Sequence, residues 1–212
     1  MNAGILAGLL PATVVTAETY TDPPGLVLFP AEEAVIARAV GKRRREFTTV
    51  RHCARTALAR LGTAAVPILP GDRGAPGWPA GVVGSMTHCD GFRGSAVAWA
   101  ADVLTIGLDA EPAAPLPDGV LNAIALPEEK LPVENSGVPW DRLLFSAKES
   151  VYKAWFPLTR RFIGFEAARI ELDPGGTFAA TMLDRRAGDP AGFTGRWICA
   201  NGLVVTAIAV PA

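Results

Sequence analysis

Three short stretches of this 212-residue chain bring chemically active side chains together at spacings that matter. The first is Asp109-Ala110-Glu111, which ends the strand-like run Leu104-Thr105-Ile106-Gly107-Leu108. On an extended chain, residues two apart point to the same side, so both carboxylates would face one spot. Hard oxygen ligands of this kind suit Mg²⁺, which keeps some waters and also binds substrate phosphates. Two solvated acids at a strand end would look the same, and both readings stand at this point. The second stretch is Phe145-Ser146-Ala147-Lys148-Glu149-Ser150-Val151-Tyr152-Lys153-Ala154-Trp155. On a helix Glu149 and Lys153 are an i,i+4 pair, which by itself contributes roughly 0.2–0.5 kcal/mol. A third carboxylate flanked by two lysines could complete a metal site or take a proton from a hydroxyl nucleophile, while the lysines neutralise phosphate oxygens. The third stretch, Val83 to Gly91, offers Ser85, Thr87 and His88 as hydrogen-bonding groups. Gly84 and Gly91 would permit close approach of a ligand to the backbone.

Several chemistries lack their signatures. There is no G-x-S-x-G nucleophile elbow, no G-x-x-x-x-G-K-[ST] and no G-x-G-x-x-G. The pairs His52-Cys53 and His88-Cys89 are adjacent residues that diverge on a helix or a strand, and no C-x₂-C accompanies them, which argues against zinc.

These residues need elements to position them. Residues 1–30 read as loop-rich and strand-like, and Pro30 with Glu32 and Glu33 reads as a helix start. A long helix is expected from about Lys42 to Leu61, where Phe47, Val50, Ala54, Leu58 and Leu61 follow the 3.6-residue period. Arg44, Arg51 and Arg55 fall on a neighbouring stripe, so their guanidinium groups could converge. Residues 67–81 are rich in Pro and Gly and form a shaped loop. Strands follow at Val82–His88, Gly94–Ala100 and Val103–Asp109, the last two joined by Ala101-Asp102 as a hairpin. Residues 110–139 look irregular or weakly helical, and a helix from Asp141 to Phe156 is closed by Pro157. The C-terminal third alternates apolar and polar residues as further antiparallel strands, with Asp173-Pro174-Gly175-Gly176 as a turn.

Half of the residues are apolar, so the chain can bury a sizeable core as one large domain or two small ones sharing it. The net charge of -1 hides segregation. Residues 38–60 hold eight basic side chains and one acid, a local +7. Residues 109–134 hold six acids (Asp109, Glu111, Asp118, Glu128, Glu129, Glu134) against Lys130, a local -5. Such a pair of segments suits a site that holds an anion and a metal together, or two solvated faces that cancel. Met1 to Ala17 lacks the basic start of a signal peptide, and no run of about 18 apolar residues suggests a membrane span. Three scattered cysteines build no disulfide framework, so a reduced, cytoplasmic setting without membrane attachment is expected.

In order and spacing, Gly84-Ser85-Met86-Thr87-His88, Ile106 to Pro112 and Phe145 to Ala154 together resemble the 4′-phosphopantetheinyl transferases of the Sfp/EntD type, in particular the actinobacterial PptT-like branch. The resemblance extends through Lys42-Arg43-Arg44 and Val50 to Arg55, and on to Thr159, covering most of the chain. It implies an α+β fold of two pseudo-twofold-related halves, each an antiparallel sheet packed with a long helix, with the site between them. Residues 1–212 would form one domain with halves near 1–105 and 106–212. It implies transfer of 4′-phosphopantetheine from coenzyme A to a serine of an apo acyl or peptidyl carrier protein, releasing adenosine 3′,5′-bisphosphate. Asp109, Glu111 and Glu149 match metal carboxylates for Mg²⁺, with the Ala110 carbonyl a further contact and Glu149 alternatively the general base. Lys148 and Lys153 match lysines beside the pyrophosphate. Arg43, Arg51 and His88 match nucleotide-holding positions, chiefly at the 3′-phosphate, with Ser85 and Thr87 beside them. Pro70 stands where relatives often carry a basic residue, and Arg73 is placed to replace it. The type also implies a monomer, and the near-zero net charge argues against a protein that coats nucleic acid. Leu158 to Ile163, basic and apolar together, is expected to border the docking site of an acidic carrier. Two other readings fit the residues alone: a Mg²⁺-dependent hydrolase of a nucleotide pyrophosphate, and a non-enzyme whose basic helix binds nucleic acid or an acidic partner.

Overall fold

The computed structural model describes residues 4–132 and 137–212; Glu134 of the acidic segment lies outside them. Period-2 burial organises the molecule. Strand β3 (Phe92–Trp99) is the middle of a three-stranded antiparallel sheet between β1 (Val15–Thr19) and β2 (Val82–Cys89). Val97 faces the long helix α3 (Gly41–Arg60), packing with Ala54, Ala57 and Leu58. Its neighbours Ala96 and Ala98 face the other way, into a cluster with Ile106, Leu108, Val205 and Ala207.

Those four residues belong to a second antiparallel sheet of five strands. It is ordered β4 (Val103–Pro112), β8 (Leu203–Pro211), β7 (Gly192–Ala200), β6 (Thr177–Met182), β5 (Ala168–Asp173). Its outer face carries helix α5 (Trp140–Thr159), whose Leu143, Leu144, Val151 and Trp155 pack on Ile170, Phe178, Phe193 and Ile208. The fold is thus α+β, with two antiparallel sheets, a long helix on each, and an apolar cluster between the sheets. Short helices α1 (Ile5–Leu9), α2 (Pro30–Val35) and α4 (Val120–Ile124) complete it.

Three expectations need correction. Strands β3 and β4 are not a hairpin. Both edges of β3 are already paired, by β1 and β2, so the chain leaves its sheet at Ala101-Asp102 and β4 pairs with β8. The hairpin is β2–β3, closed by Asp90-Gly91 with Gly91 at φ 73°, a turn in which glycine is favoured. Pro157 does not end α5 but sits in its last turn. Its fixed φ suits a helix and only the bond to Lys153 C=O is lost; Arg160 caps the end at φ 55°, its N–H donating to Phe156 O. Finally, Ile5–Leu9 is helical, set by Glu18, whose carboxylate accepts from the N–H groups of Ile5 and Leu6.

Candidate active site

The even residues of β4 (Ile106, Leu108, Ala110) face the inter-sheet cluster, so the odd ones face α5. Two residues of strand advance about 6.6 Å and one helical turn about 5.4 Å, so strand and helix meet rung by rung. Thr105 Oγ1 donates to Ala154 O at 2.9 Å. Gly107 lies under the Ser150 carbonyl, where any Cβ would collide. Asp109 meets Ser146 and Lys153, and Glu111 meets Arg142. On α5, Arg142, Ser146, Glu149 and Lys153 are spaced i, i+4, i+7, i+11, one face of the helix. That spacing is visible in the sequence, yet Arg142 and Ser146 are additions the structure makes to the expected set.

Asp109 is 5% exposed; its Oδ1 accepts from Lys153 Nζ and its Oδ2 from Ser146 Oγ, both at 2.8 Å. Ser146 is itself held by Thr206, which lies opposite Asp109 on β8, and Thr206 bonds Ser150. Lys153 also donates to Leu108 O at 3.0 Å. Burial raises the Glu111 carboxyl above its ordinary value, helped by Asp109 and opposed by Arg142, which donates to Glu111 at 3.1 Å. Burial likewise raises Glu149, with Lys153 opposing and Asp109 adding. The acid pair's field reaches further: burial, then Glu111 and Asp109, push the Cys89 thiol up to about 12.

Ser85 and Thr87 hold the strand that carries these acids. Ser85 Oγ accepts from Leu108 N–H at 3.2 Å and Thr87 Oγ1 from Ala110 N–H at 3.0 Å, joining the edge of one sheet to the edge of the other. Both are buried; Ser85 also lines the cleft, whereas Thr87 serves β4. Because the N–H and C=O of one residue in an antiparallel strand point the same way, the Ala110 carbonyl also faces β2 rather than β8. Of the glycines flanking this stretch, Gly84 lines the cleft and Gly91 does not. A Cβ at Gly84 would strike Trp78, whose Nε1 donates to Gly84 O at 3.0 Å, and Gly91 is the hairpin turn.

Between α3, residues 70–78, β2 and α5 lies a cleft of about 910 Å³, the size of a small-molecule site. It brings together Arg43, Arg51, Arg73, Ser85, His88, Glu149 and Lys153, with Trp78, Tyr152 and Arg160 beside them. Arg43 donates to His88 Nε2 at 2.7 Å, which leaves the His88 proton on Nδ1, towards Glu46 at 3.8 Å. Burial, then Arg43, hold the His88 pKa below its usual value, Glu46 opposing. Arg73 stands at φ 55° in the loop that follows Pro70, its guanidinium 5.2 Å from the Phe162 ring centroid. A second pocket of about 250 Å³, lined by Lys148, Val151, Tyr152, Phe162, Ile163 and Phe165, also touches Glu149.

Other expected residues go elsewhere. Lys148 is turned away from the cleft: its Nζ donates to Phe165 O and Ala168 O and pairs with Glu129, each at 2.9 Å, with the side chain 2% exposed. A neighbour about 100° around α5 from Glu149 falls towards β5 instead of β4. Arg44 and Arg55 do converge, but on Glu33 and Glu32 of α2, while Arg60 caps Thr16 O. Arg161 pairs with Asp189 and lies over Trp155, leaving Arg160, Leu158 and the 61%-exposed Phe162 at the surface expected to meet a carrier.

Comparison with known proteins matches residues 31–98 to the 4′-phosphopantetheinyl transferase N-terminal domain and residues 105–201 to the 4′-phosphopantetheinyl transferase superfamily. The chain is 55% identical to the 4′-phosphopantetheinyl transferase Svp of Streptomyces mobaraensis, over 98% of this chain and 90% of that one. It is 49% identical to the 4′-phosphopantetheinyl transferase PptT of Mycobacterium tuberculosis, over 98% of this chain and 99% of that one. With the 4′-phosphopantetheinyl transferase Npt of Nocardia iowensis it shares 50% identity, over 95% and 97%. Two family models matched in tandem, and relatives aligned almost end to end, make this chain a member of the 4′-phosphopantetheinyl transferase superfamily.

Proposed function

We propose that the cleft between the halves, near 1–105 and 106–212, binds coenzyme A and moves its 4′-phosphopantetheine to a carrier-protein serine. The observation that carries this is the joining of a cationic wall (Arg43, Arg51, Arg73, Arg160) to Glu149 and Lys153 in one cleft. The cations suit the phosphates of the nucleotide end, and the apolar pocket beside Glu149 suits the pantetheine arm. A serine hydroxyl is a weak nucleophile and needs a positioned base. Glu149, its carboxyl raised by burial, accepts that proton as the serine oxygen bonds to phosphorus. The phosphorus–oxygen bond within the pyrophosphate breaks, and adenosine 3′,5′-bisphosphate leaves with the electron pair. Lys153, anchored on Asp109 and Leu108 O, offsets charge on the pyrophosphate oxygens.

The acid cluster suits a divalent cation. Asp109, Glu111 and Glu149 are three hard carboxylates against two cations, Lys153 and Arg142, and Asp109 disfavours charge on both other acids. Among the described residues no three acidic, His or Cys side chains are already gathered around one point. Mg²⁺ would be held by Asp109 and Glu111, with Glu149 and the Ala110 carbonyl as further oxygen donors. When bound, it supplies charge neutralisation for the pyrophosphate.

The carrier would approach over Leu158, Arg160 and Phe162, which lie exposed or at the cleft mouth. Half of the basic segment is occupied: Lys42, Arg44, Arg55 and Arg60 bond protein groups, which favours a helix tied into its own fold over a nucleic-acid face. Among the described residues no helix is long and apolar enough to cross a membrane. The test is Glu149→Gln. Transfer to an apo carrier should fall on the order of 10²- to 10⁴-fold while coenzyme A still binds; near-normal transfer would remove Glu149 as the base.

A further inference from the structure

Glu32, on the six-residue helix α2, takes no part in the chemistry above, yet it is fully buried. A carboxylate removed from water is costly unless its oxygens are paired and hydrogen-bonded. Its oxygens accept from Phe29 N–H at 3.0 Å, from Ile68 N–H at 2.8 Å and from Arg55 Nη1 at 2.9 and 3.0 Å. Arg51 Nε stands 3.8 Å from Oε1, too far for a hydrogen bond but close enough for charge attraction. That Nε donates instead to Ile68 O at 2.9 Å. One residue, Ile68, therefore gives its N–H to Glu32 and its carbonyl to Arg51.

Two consequences reach the cleft. Residues 70–78, which follow Ile68, form its wall, so Glu32 fixes where that wall starts. The Arg51 guanidinium is also immobilised, with Nε taken and one face 3.2 Å from the Phe47 ring centroid. Among the described residues its two Nη groups make no hydrogen bond, and the residue lines the cleft. A fixed planar cation with two idle donors matches a phosphate oxygen pair.

We propose that Glu32 is a positioning residue for coenzyme A binding: it holds Arg51, through Ile68 and by charge, with both Nη groups presented to a ligand phosphate. This rests on the reading of the cleft as the coenzyme A site. If Glu32 only stabilised the core, its removal would act equally whether or not Arg51 were present.

The test is a double-mutant cycle on the affinity for adenosine 3′,5′-bisphosphate, measured by calorimetry on full-length wild type, Glu32→Gln, Arg51→Gln and the double variant. Thermal midpoints are measured beside them. Glu32→Gln should weaken binding about tenfold in the wild-type background and less than about twofold when Arg51 is already replaced. Its thermal midpoint should fall in both, by less where Arg51 and its charge attraction are already gone. In turnover, Glu32→Gln should raise KM for coenzyme A and spare both kcat and the KM for carrier. Equal weakening in both backgrounds, or none in folded Glu32→Gln, would overturn the role of Glu32 while leaving the cleft assignment intact. If wild type binds no adenosine 3′,5′-bisphosphate, both fall together. Should Glu32→Gln not fold, Glu32→Asp keeps the charge but shortens the reach, and the same cycle decides with it.

Discussion

Lys148 and Lys153 lie five residues apart on one helix and have different tasks. Lys148 is a structural cation, its ammonium enclosed by two carbonyls and Glu129. Lys153 is partly exposed in the cleft and pairs with Asp109. Lys148→Met should destabilise the protein by about 3–5 kcal/mol, because it strands Glu129 as a buried unpaired charge. Lys153→Met should instead lower transfer about 10²-fold with a smaller loss of stability. Denaturant midpoints and transfer rates on the two variants separate these outcomes. A Lys148→Met protein as stable as wild type but unable to bind coenzyme A would return Lys148 to the cleft. The sequence shows both lysines on a helix beside a carboxylate. It does not show that Glu129, 19 positions upstream of Lys148, claims one of them, because that contact depends on how residues 120–132 return over β5. Arg44 and Arg55 illustrate the same limit: their shared stripe is legible, but their acidic partners on α2 are set by tertiary packing.

At the scale of elements, the site is the meeting of β4 with α5, and its precision depends on how closely they approach. Gly107 is the narrowest point, with the Ser150 carbonyl where a side chain would be. Gly107→Ala should therefore push α5 outward, at a cost of about 1–3 kcal/mol, and separate Lys153 from Asp109. Both a lowered denaturation midpoint and a transfer rate reduced beyond any change in coenzyme A affinity are expected. A variant of normal rate would show that the helix need not lie this close. The elements were largely legible. The 3.6-residue period marks α3, alternation marks the C-terminal strands, and the i,i+2 acids do point to one side. Which sheet receives β4 was not legible, because a short Ala101-Asp102 link suits a hairpin equally well. Only the occupied edges of β3 decide it.

For the whole molecule, the net charge of -1 conceals a basic segment, 38–60, whose Arg43 and Arg51 line the cleft, and an acidic one, 109–134, none of whose described residues lines it. The division is less simple than a basic half and an acidic half. Three charges of the +7 segment are paired with Glu32, Glu33 and Asp90, and the cations that line the cleft come from both matched segments: Arg43, Arg51 and Arg73 from 31–98, Lys153 and Arg160 from 105–201. Ser85 and Thr87 tie the two sheets edge to edge, so the nucleotide wall and the acid cluster are held in one frame. A cleft lined from both matched segments suits a reaction that joins two substrates, one inside and one arriving at the mouth. The most direct test is the mass of an apo acyl or peptidyl carrier after incubation with the protein, coenzyme A and Mg²⁺. The carrier should gain the mass of one phosphopantetheine, with adenosine 3′,5′-bisphosphate released in equal amount and only when carrier is present. Carriers of unchanged mass, with coenzyme A cleaved whether or not they are present, would contradict it and identify a hydrolase.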